Sequence, residues 1–258
     1  MPAELTKGEN EPVTSHDSYA DSPDLASLAA LFADRTRAAF CLALLDGRAW
    51  TATELARLAG VAPSTATGHL HQLVAGGVLT EERSGRHRYV RLAGPDTAEM
   101  IEGLAAHAPQ RPTPVRSLTD ARRRRALAHA RTCYDHLAGA LGVAITDAMT
   151  AQALLAWDYG PALTESGASW LRGLGVADDH CGTSRRPHVR TCLDWTERRA
   201  HLAGAVGAAL FRHALEASWL VRQGSTRIIT LTDEGRDALR RHLSLRDEVL
   251  LAGADTAS

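Results

Sequence analysis

The sequence predicts a mainly α fold with small β-hairpins, laid out as one N-terminal unit followed by a unit in which a single pattern occurs twice. Three observations carry this prediction. Apolar residues recur at helical spacing through most of residues 24–107, broken by one alternating stretch that reads as a hairpin. Pro109, Pro112 and Pro114 crowd the next segment, and each forbids a helix from running through it. Beyond them, separated motifs return in the same order. The predicted division is a disordered acidic tail over 1–23, a first unit over 24–107, a linker over 108–118 and a tandem-repeat unit over 119–250.

The tail is polar and acidic, with Glu4, Glu9, Glu11, Asp17, Asp21 and Asp24 against Lys7 alone. From Asp24, Leu25, Leu28 and Leu31-Phe32 mark one helix, and Phe40, Leu44 and Leu45 mark a second. Asp34 stands between them as an N-cap, and Gly47 ends the second. Thr51 caps a short helix through Ala59, with Glu54 three residues on as its capping-box partner. Gly60-Val61-Ala62-Pro63 then breaks the chain, and Ser64 caps a helix running to Gly76-Gly77. Helix, tight turn and helix at this spacing is a helix-turn-helix. Residues 78–82 and 87–92 are extended, with Arg83-Ser84-Gly85-Arg86 as the turn, and an amphipathic helix follows over about Asp96 to His107. A hairpin after a helix-turn-helix is a wing, so the first unit is a winged helix.

In the second unit, Arg131-Thr132-Cys133-Tyr134-Asp135 recurs as Arg190-Thr191-Cys192-Leu193-Asp194. HLAGALG from His136 recurs as HLAGAVG from His201, and Leu163-Thr164-Glu165-Ser166-Gly167 as Leu231-Thr232-Asp233-Glu234-Gly235. The offsets of 59, 65 and 68 place six extra residues in the second copy near Trp195 to Arg199 and three more in a hairpin. Each copy reads as a long apolar helix (137–157 and 202–222), a hairpin and a helix capped by Thr164 or Thr232, again winged-helix-like. The simplest assembly packs the copies about a pseudo-twofold axis.

Composition excludes several classes. The chain of 258 residues suffices for one large or two ordinary domains, and 45% apolar with 5% aromatic residues suits a soluble helical protein. It has no apolar run of about 18 residues and no basic-then-apolar start, so no membrane partner and a cytoplasmic location are expected. Cys41, Cys133, Cys181 and Cys192 are too few for a disulfide framework and read as thiols. The net charge of −1 argues against a nucleic-acid binder only if charge is spread evenly, and it is not. Arg83, Arg86, Arg88 and Arg91 cluster in the hairpin, and Arg122 to Arg125 form an unbroken run, at once a potential phosphate contact and an ordinary solvated helix start.

On the helix from Ser64, the apolar face is Ala66, Leu70, Leu73 and Val74. Ser64, Thr65, Gly68, His71 and Gln72 lie opposite, with Thr67 and His69 at the margins. Short hydroxyls, imidazoles and an amide suit a major groove, with glutamine matched to adenine; alone, the same face could be ordinary solvated surface. The turn before it and the basic wing after it favour DNA, with Arg83, Arg86, His87 and Arg88 placed for phosphates or an adjacent minor groove.

Residues 28–92 resemble the ArsR-type winged-helix repressors, through LAALFADRTRAAFCLALLDG and TATELARLAGVAPSTATGHLHQLVAGGVLTEERSGRHRYVRL. The resemblance implies that the helix from Ser64 reads DNA, that Arg83 to Tyr89 is the wing, and that a homodimer holds a near-palindromic double-stranded operator until an inducer binds. Two departures stand out. Gly68 occupies a place where the family usually has a long polar residue, and the family's usual metal patterns are missing: 51–58 read TATELARL, and Asp96 and His107 lack matching partners.

No cofactor and no metal ligand is therefore assigned. The second unit is expected to read an unknown small-molecule or soft-metal effector, with Cys133, Tyr134, His136, Cys192 and Trp195 as candidate contacts. A thiol-based sensor of metal, metalloid or redox state would use Cys133 and Cys192, and His180, Cys181 and His188 are spaced loosely enough to join them. The same cysteines also fit as small buried residues. An organic effector would use a cavity lined by Trp157, Trp170, Trp195, Trp219 and Tyr134. An enzyme is not expected: a methyltransferase, the remote alternative, needs a Gly-rich loop after a strand, whereas LAGALG and LRGLG follow helices.

Overall fold

The structure, a computed structural model, describes residues 22–84, 87–109, 117–176 and 187–252. Nearly all of the acidic tail, Arg86, most of the proline-rich linker, His180 and Cys181 lie outside the described residues, as does the side chain of His87.

The N-terminal unit runs α1 (Leu25–Phe32), α2 (Arg35–Leu44), β1 (Trp50–Thr51), α3 (Ala52–Ala59), α4 (Pro63–Ala75), β2 (Leu79–Ser84), β3 (His87–Leu92) and α5 (Pro95–His107). Local chemistry sets the boundaries. The Asp34 carboxylate accepts from the N–H groups of Thr36 and Arg37 to start α2. Thr51 and Glu54 form the capping box of α3, and Gly60 ends it at φ +71°. Ser64, by contrast, does not cap α4. Pro63 is the first helical residue and Ala62 the N-cap, because proline brings its own helical φ and has no N–H to be capped. The hairpin is also longer than predicted, since Arg83 and Ser84 belong to β2 and oppose Arg88 and His87. β1 joins the far side of β3 to make a three-stranded sheet in the order β1-β3-β2. Phe40, Leu44, Leu55, Leu70, Leu73 and Val90 meet in the core beneath it.

After α6 (Leu118–His129), the first copy of the repeat runs β4 (Arg131–Cys133), β5 (His136–Ala138), α7 (Ala140–Ala151), β6 (Leu155–Ala156), β7 (Ala162–Leu163) and α8 (Glu165–Gly173). The second runs β8 (Arg190–Leu193), β9 (Ala200–Ala203), α9 (Gly204–Glu216), β10 (Leu220–Arg222), β11 (Ile229–Leu231) and α10 (Asp233–Leu243), with α11 (Asp247–Leu251) behind it. The long helices are shorter than their apolar runs predict, because each copy opens with an extra hairpin. Gly139 and Gly204 turn the chain at φ +86° and +81° between the hairpin and the helix. A Cβ at Gly139 would lie 2.6 Å from the Ala128 carbonyl oxygen, so only glycine fits there. The predicted caps are in place: Thr164 and Thr232 each accept from the N–H three residues on, at 2.9 Å in both copies.

The copies embrace. α7 packs against β9, and α9 against β5, so each long helix covers the other copy's first hairpin. Gly142 and Gly207 hold each helix close to its own hairpin, with Cβ positions only 2.6 and 2.7 Å from the carbonyl oxygens of Leu137 and Leu202. Beside them lie His201 and His136 of the opposite copy, so the pseudo-twofold axis passes between two matched Gly–His contacts.

Candidate nucleic-acid interface and effector site

α4 presents Ser64, Thr65, Thr67, Gly68, His71 and Gln72 to solvent, while Ala66, Leu70 and Leu73 are buried. The helix dictates both faces, since the buried residues fall at spacings of three and four. Two side chains have partners that refine the reading. Gln72 Oε1 accepts from Arg37 of α2, which orients its amide. His69 is half-buried, edge-on to Phe40 and 3.7 Å from Asp34, so it serves the α2–α4 packing more than the outer face.

The wing beside α4 places Arg83 directly opposite Arg88, both exposed. Like charges facing each other across a strand pair repel, and an anion between them removes the cost. Arg88 is tied to Glu81, and Arg91 lies 3.5 Å from Glu82. Arg83 makes no ion pair among the described residues, whereas Arg88 and Arg91 do.

Behind the winged helix, α5 meets the repeat through one buried carboxylate. Glu102 accepts from Arg131 Nε at 3.0 Å, from Arg227 at 3.0 Å and from the Trp195 indole at 2.9 Å. Burial pushes the Glu102 carboxyl up, but the Arg227 and Arg131 guanidinium groups outweigh it and hold the pKa below the usual value. Arg131 reaches on to Asp194 at 2.9 Å. Burial opposes ionisation of Asp194 too, yet Arg131 and the Thr196 hydroxyl bring its pKa down to about 2. Arg227 also donates to the carbonyl of Leu45, and its own N–H to that of Asp46, at the end of α2. Trp195, expected from sequence as an effector contact, packs on the winged-helix core and on Ala126, Leu127 and Ile228.

On the pseudo-twofold axis, Cys133, His136, Cys192 and His201 bring one ligand atom each to within 4.8 Å of one another. The two sulfurs are 3.8 Å apart and the imidazole rings 5.1 Å. Both histidines and Cys133 are almost wholly buried. The Cys133 thiol is pushed up by the adjacent Cys192 and by burial, while Cys192 is drawn down by the hydrogen bond from Cys133. Tyr134 stands apart at the β4–β5 turn, half exposed. His201, Asp194 and Glu102 join these sites without being among the residues expected from sequence. The repeat offset of 65 that pairs HLAGALG with HLAGAVG already paired His201 with His136, so the signal for the first was present.

Two of the tryptophans line a small cavity. Trp170 and Trp219 line an apolar cavity of about 40 Å³, with Phe211 and Leu239. A cavity of roughly 150 Å³ is what benzene occupies, so no organic molecule of that size fits. Among the described residues, no helix is long and apolar enough to cross a membrane.

Comparison with known proteins gives concordant results. A helix-turn-helix domain family matches residues 32–82. Over 226 residues the chain is 40% identical to the uncharacterized HTH-type transcriptional regulator YdfF of Bacillus subtilis (strain 168), across 87% of this chain and 99% of that protein. Two solved structures align with 36% of the chain and 99% of their own. One is the homodimeric winged helix-turn-helix DNA-binding domain of Mb0332 from Mycobacterium bovis, described as a possible ArsR-family regulator (24% identity, TM-score 0.29). The other is the cadmium sensor CMTR from Mycobacterium tuberculosis (29% identity, TM-score 0.30).

Proposed function

The chain belongs to the HTH-type transcriptional regulators, and from that membership we propose a homodimeric repressor of the ArsR type, acting by binding and not by catalysis. It holds near-palindromic operator DNA through α4 and the wing, and releases it when the C-terminal unit binds an effector. The observation that carries this reading is the outward face of α4, polar and exposed beside the opposed pair Arg83 and Arg88. The helix supplies groove contacts and the wing phosphate contacts.

A second copy explains an otherwise wasteful helix. α1 reads LASLAALF yet buries none of its residues, and Leu25 is 71% exposed. Leu104 of α5 is 53% exposed as well. Pairing α1 and α5 across a twofold removes this apolar surface from water and sets the two α4 helices about one DNA turn, roughly 34 Å, apart. Release needs an effector that prefers the DNA-incompetent arrangement, a coupling of typically about 1–3 kcal/mol. The Glu102 cluster is the physical route between the units, since it joins α5 to both copies of the repeat.

The test is a fluorescence-anisotropy titration on the DNA flanking the gene, over a range of salt. Arg83→Ala is expected to weaken operator and random DNA alike and to lower the magnitude of the salt slope by about 1.8, one phosphate contact from each protomer. Gln72→Ala is expected to narrow the gap between operator and random DNA by roughly 2 kcal/mol or more, one base contact in each half-site. An unchanged slope removes Arg83 from the interface, and an equal loss on every sequence removes Gln72 from base reading. Absence of specific binding by the wild type overturns the proposal.

A further inference from the structure

We propose that Cys133, His136, Cys192 and His201 form a tetrahedral two-sulfur, two-nitrogen site for one thiophilic divalent ion of the zinc class. The sulfur separation fits first. With metal–sulfur bonds of about 2.3 Å at a tetrahedral angle, two thiolates sharing an ion stand about 3.8 Å apart, and Cys133 and Cys192 stand at 3.8 Å. A disulfide needs about 2.05 Å between the sulfurs, and it would leave the histidines unexplained.

The histidines are the second, independent observation. Nε2 of His136 and both ring nitrogens of His201 are buried without a hydrogen-bond partner. An orphaned buried nitrogen costs free energy unless something meets its lone pair. A bound ion would meet one from each ring, satisfying two buried groups and two sulfurs at once.

Behind each ring lies a carboxylate. Asp135 is 3.4 Å from Nδ1 of His136, and Asp194 is 3.8 Å from Nδ1 of His201. A carboxylate on the far nitrogen fixes a ring and its tautomer and leaves Nε2 to the metal; Asp135 does this for His136, whereas Asp194 stands near Nδ1 of His201 without a hydrogen bond. The pattern obeys the pseudo-symmetry: each copy gives one cysteine, one aspartate and one histidine from its first hairpin. Two sulfurs and two imidazoles suit a borderline-soft ion and disfavour magnesium or calcium. The chain's four ligands leave no vertex for substrate, so the ion binds and organises but does not catalyse. Occupancy would draw the two first hairpins together, and these carry Arg131 and Asp194 of the cluster bound to α5. Only this consequence for DNA rests on the regulator reading.

The test uses the reduced full-length chain, stripped with a chelator and titrated with cobalt(II). One equivalent is expected to give intense visible bands of tetrahedral cobalt with a near-ultraviolet thiolate charge-transfer band, both abolished by zinc. Cys133→Ser and Cys192→Ser are expected to lose the charge-transfer intensity stepwise, and Asp135→Asn to weaken binding by roughly 10–100-fold. If the variants misfold, X-ray absorption of the wild-type zinc form decides, with two sulfur and two nitrogen neighbours expected. A weak octahedral cobalt spectrum, or bands that persist without both cysteines, overturns the site. So does a zinc shell of oxygen. Operator affinity of the same samples separates the two readings: a chain that takes one zinc and never binds DNA specifically keeps the site and overturns the repressor.

Discussion

The winged helix and the repeat hold their chemistry in opposite places. In the first, the groups of interest lie on the outside of one helix and one hairpin, close in sequence and exposed. In the second, they are buried on a pseudo-twofold axis, drawn from segments 59 to 65 residues apart. A surface that meets a large partner needs only an outward face, which helical periodicity supplies. An enclosed site needs convergence, which here comes from duplication. One hairpin bearing a cysteine and a histidine, used twice about an axis, makes a four-group cluster.

Glu102 is where the two regions meet, and its loss is the largest effect expected. Glu102→Ala leaves Arg131, 1% exposed, with Asp194 as its one remaining carboxylate, and strips Arg227 of its own. A buried cation deprived of its partner costs about 3–5 kcal/mol, read as the drop in unfolding free energy in urea. Units that were merely tethered would lose less than about 1 kcal/mol, and that result would break the argument that the cluster connects them.

Gly207→Ala probes how closely a long helix packs on its own copy's first hairpin. The new Cβ would stand 2.7 Å from the Leu202 carbonyl oxygen, in the helix that covers the other copy's His136. Backbone must give way, at about 1–3 kcal/mol. Gly142→Ala is expected to cost a similar amount, because its Cβ meets Leu137 at 2.6 Å in the matched position. Unequal costs in thermal unfolding would show that the symmetry of the fold does not extend to its energetics.

The same contrast governs what the sequence reveals. Asp34, Thr51, Thr164 and Thr232 act as caps as their spacing predicts, because capping is a local contest over a few N–H groups. Ser64 misleads because Pro63, one residue earlier, also starts helices and starts this one. HLAGALG and HLAGAVG read as continuous helix because alanine and leucine favour it; the first glycine of each turns the chain at positive φ, and the backbone carbonyls that exclude a Cβ there come from distant segments. The α4 face was legible from periodicity alone. His201 was legible only through the repeat, and Glu102 not at all, since nothing near it in sequence marks a carboxylate that will meet two arginines and an indole.

The smallest effect is expected from Gly68→Ala, the same chemical change as at Gly207 with the opposite sign. Gly68 lies mid-helix in α4, exposed, and nothing stands within 4 Å of where its Cβ would be. With no clash to set against the lower chain entropy of the unfolded state, alanine is expected to stabilise by roughly 0.5–1 kcal/mol. Thermal unfolding of the two alanine variants side by side gives the sign directly. Operator titration of the Gly68 variant then adds what stability cannot. Affinity unchanged within a few-fold would mean that DNA is held by the side chains flanking position 68. A clear loss alongside the gain in stability would mean that the backbone of α4 comes closest to DNA at this glycine. The reading surface would then centre on Gly68, between Thr65 and Gln72, and its missing side chain would be a condition of binding.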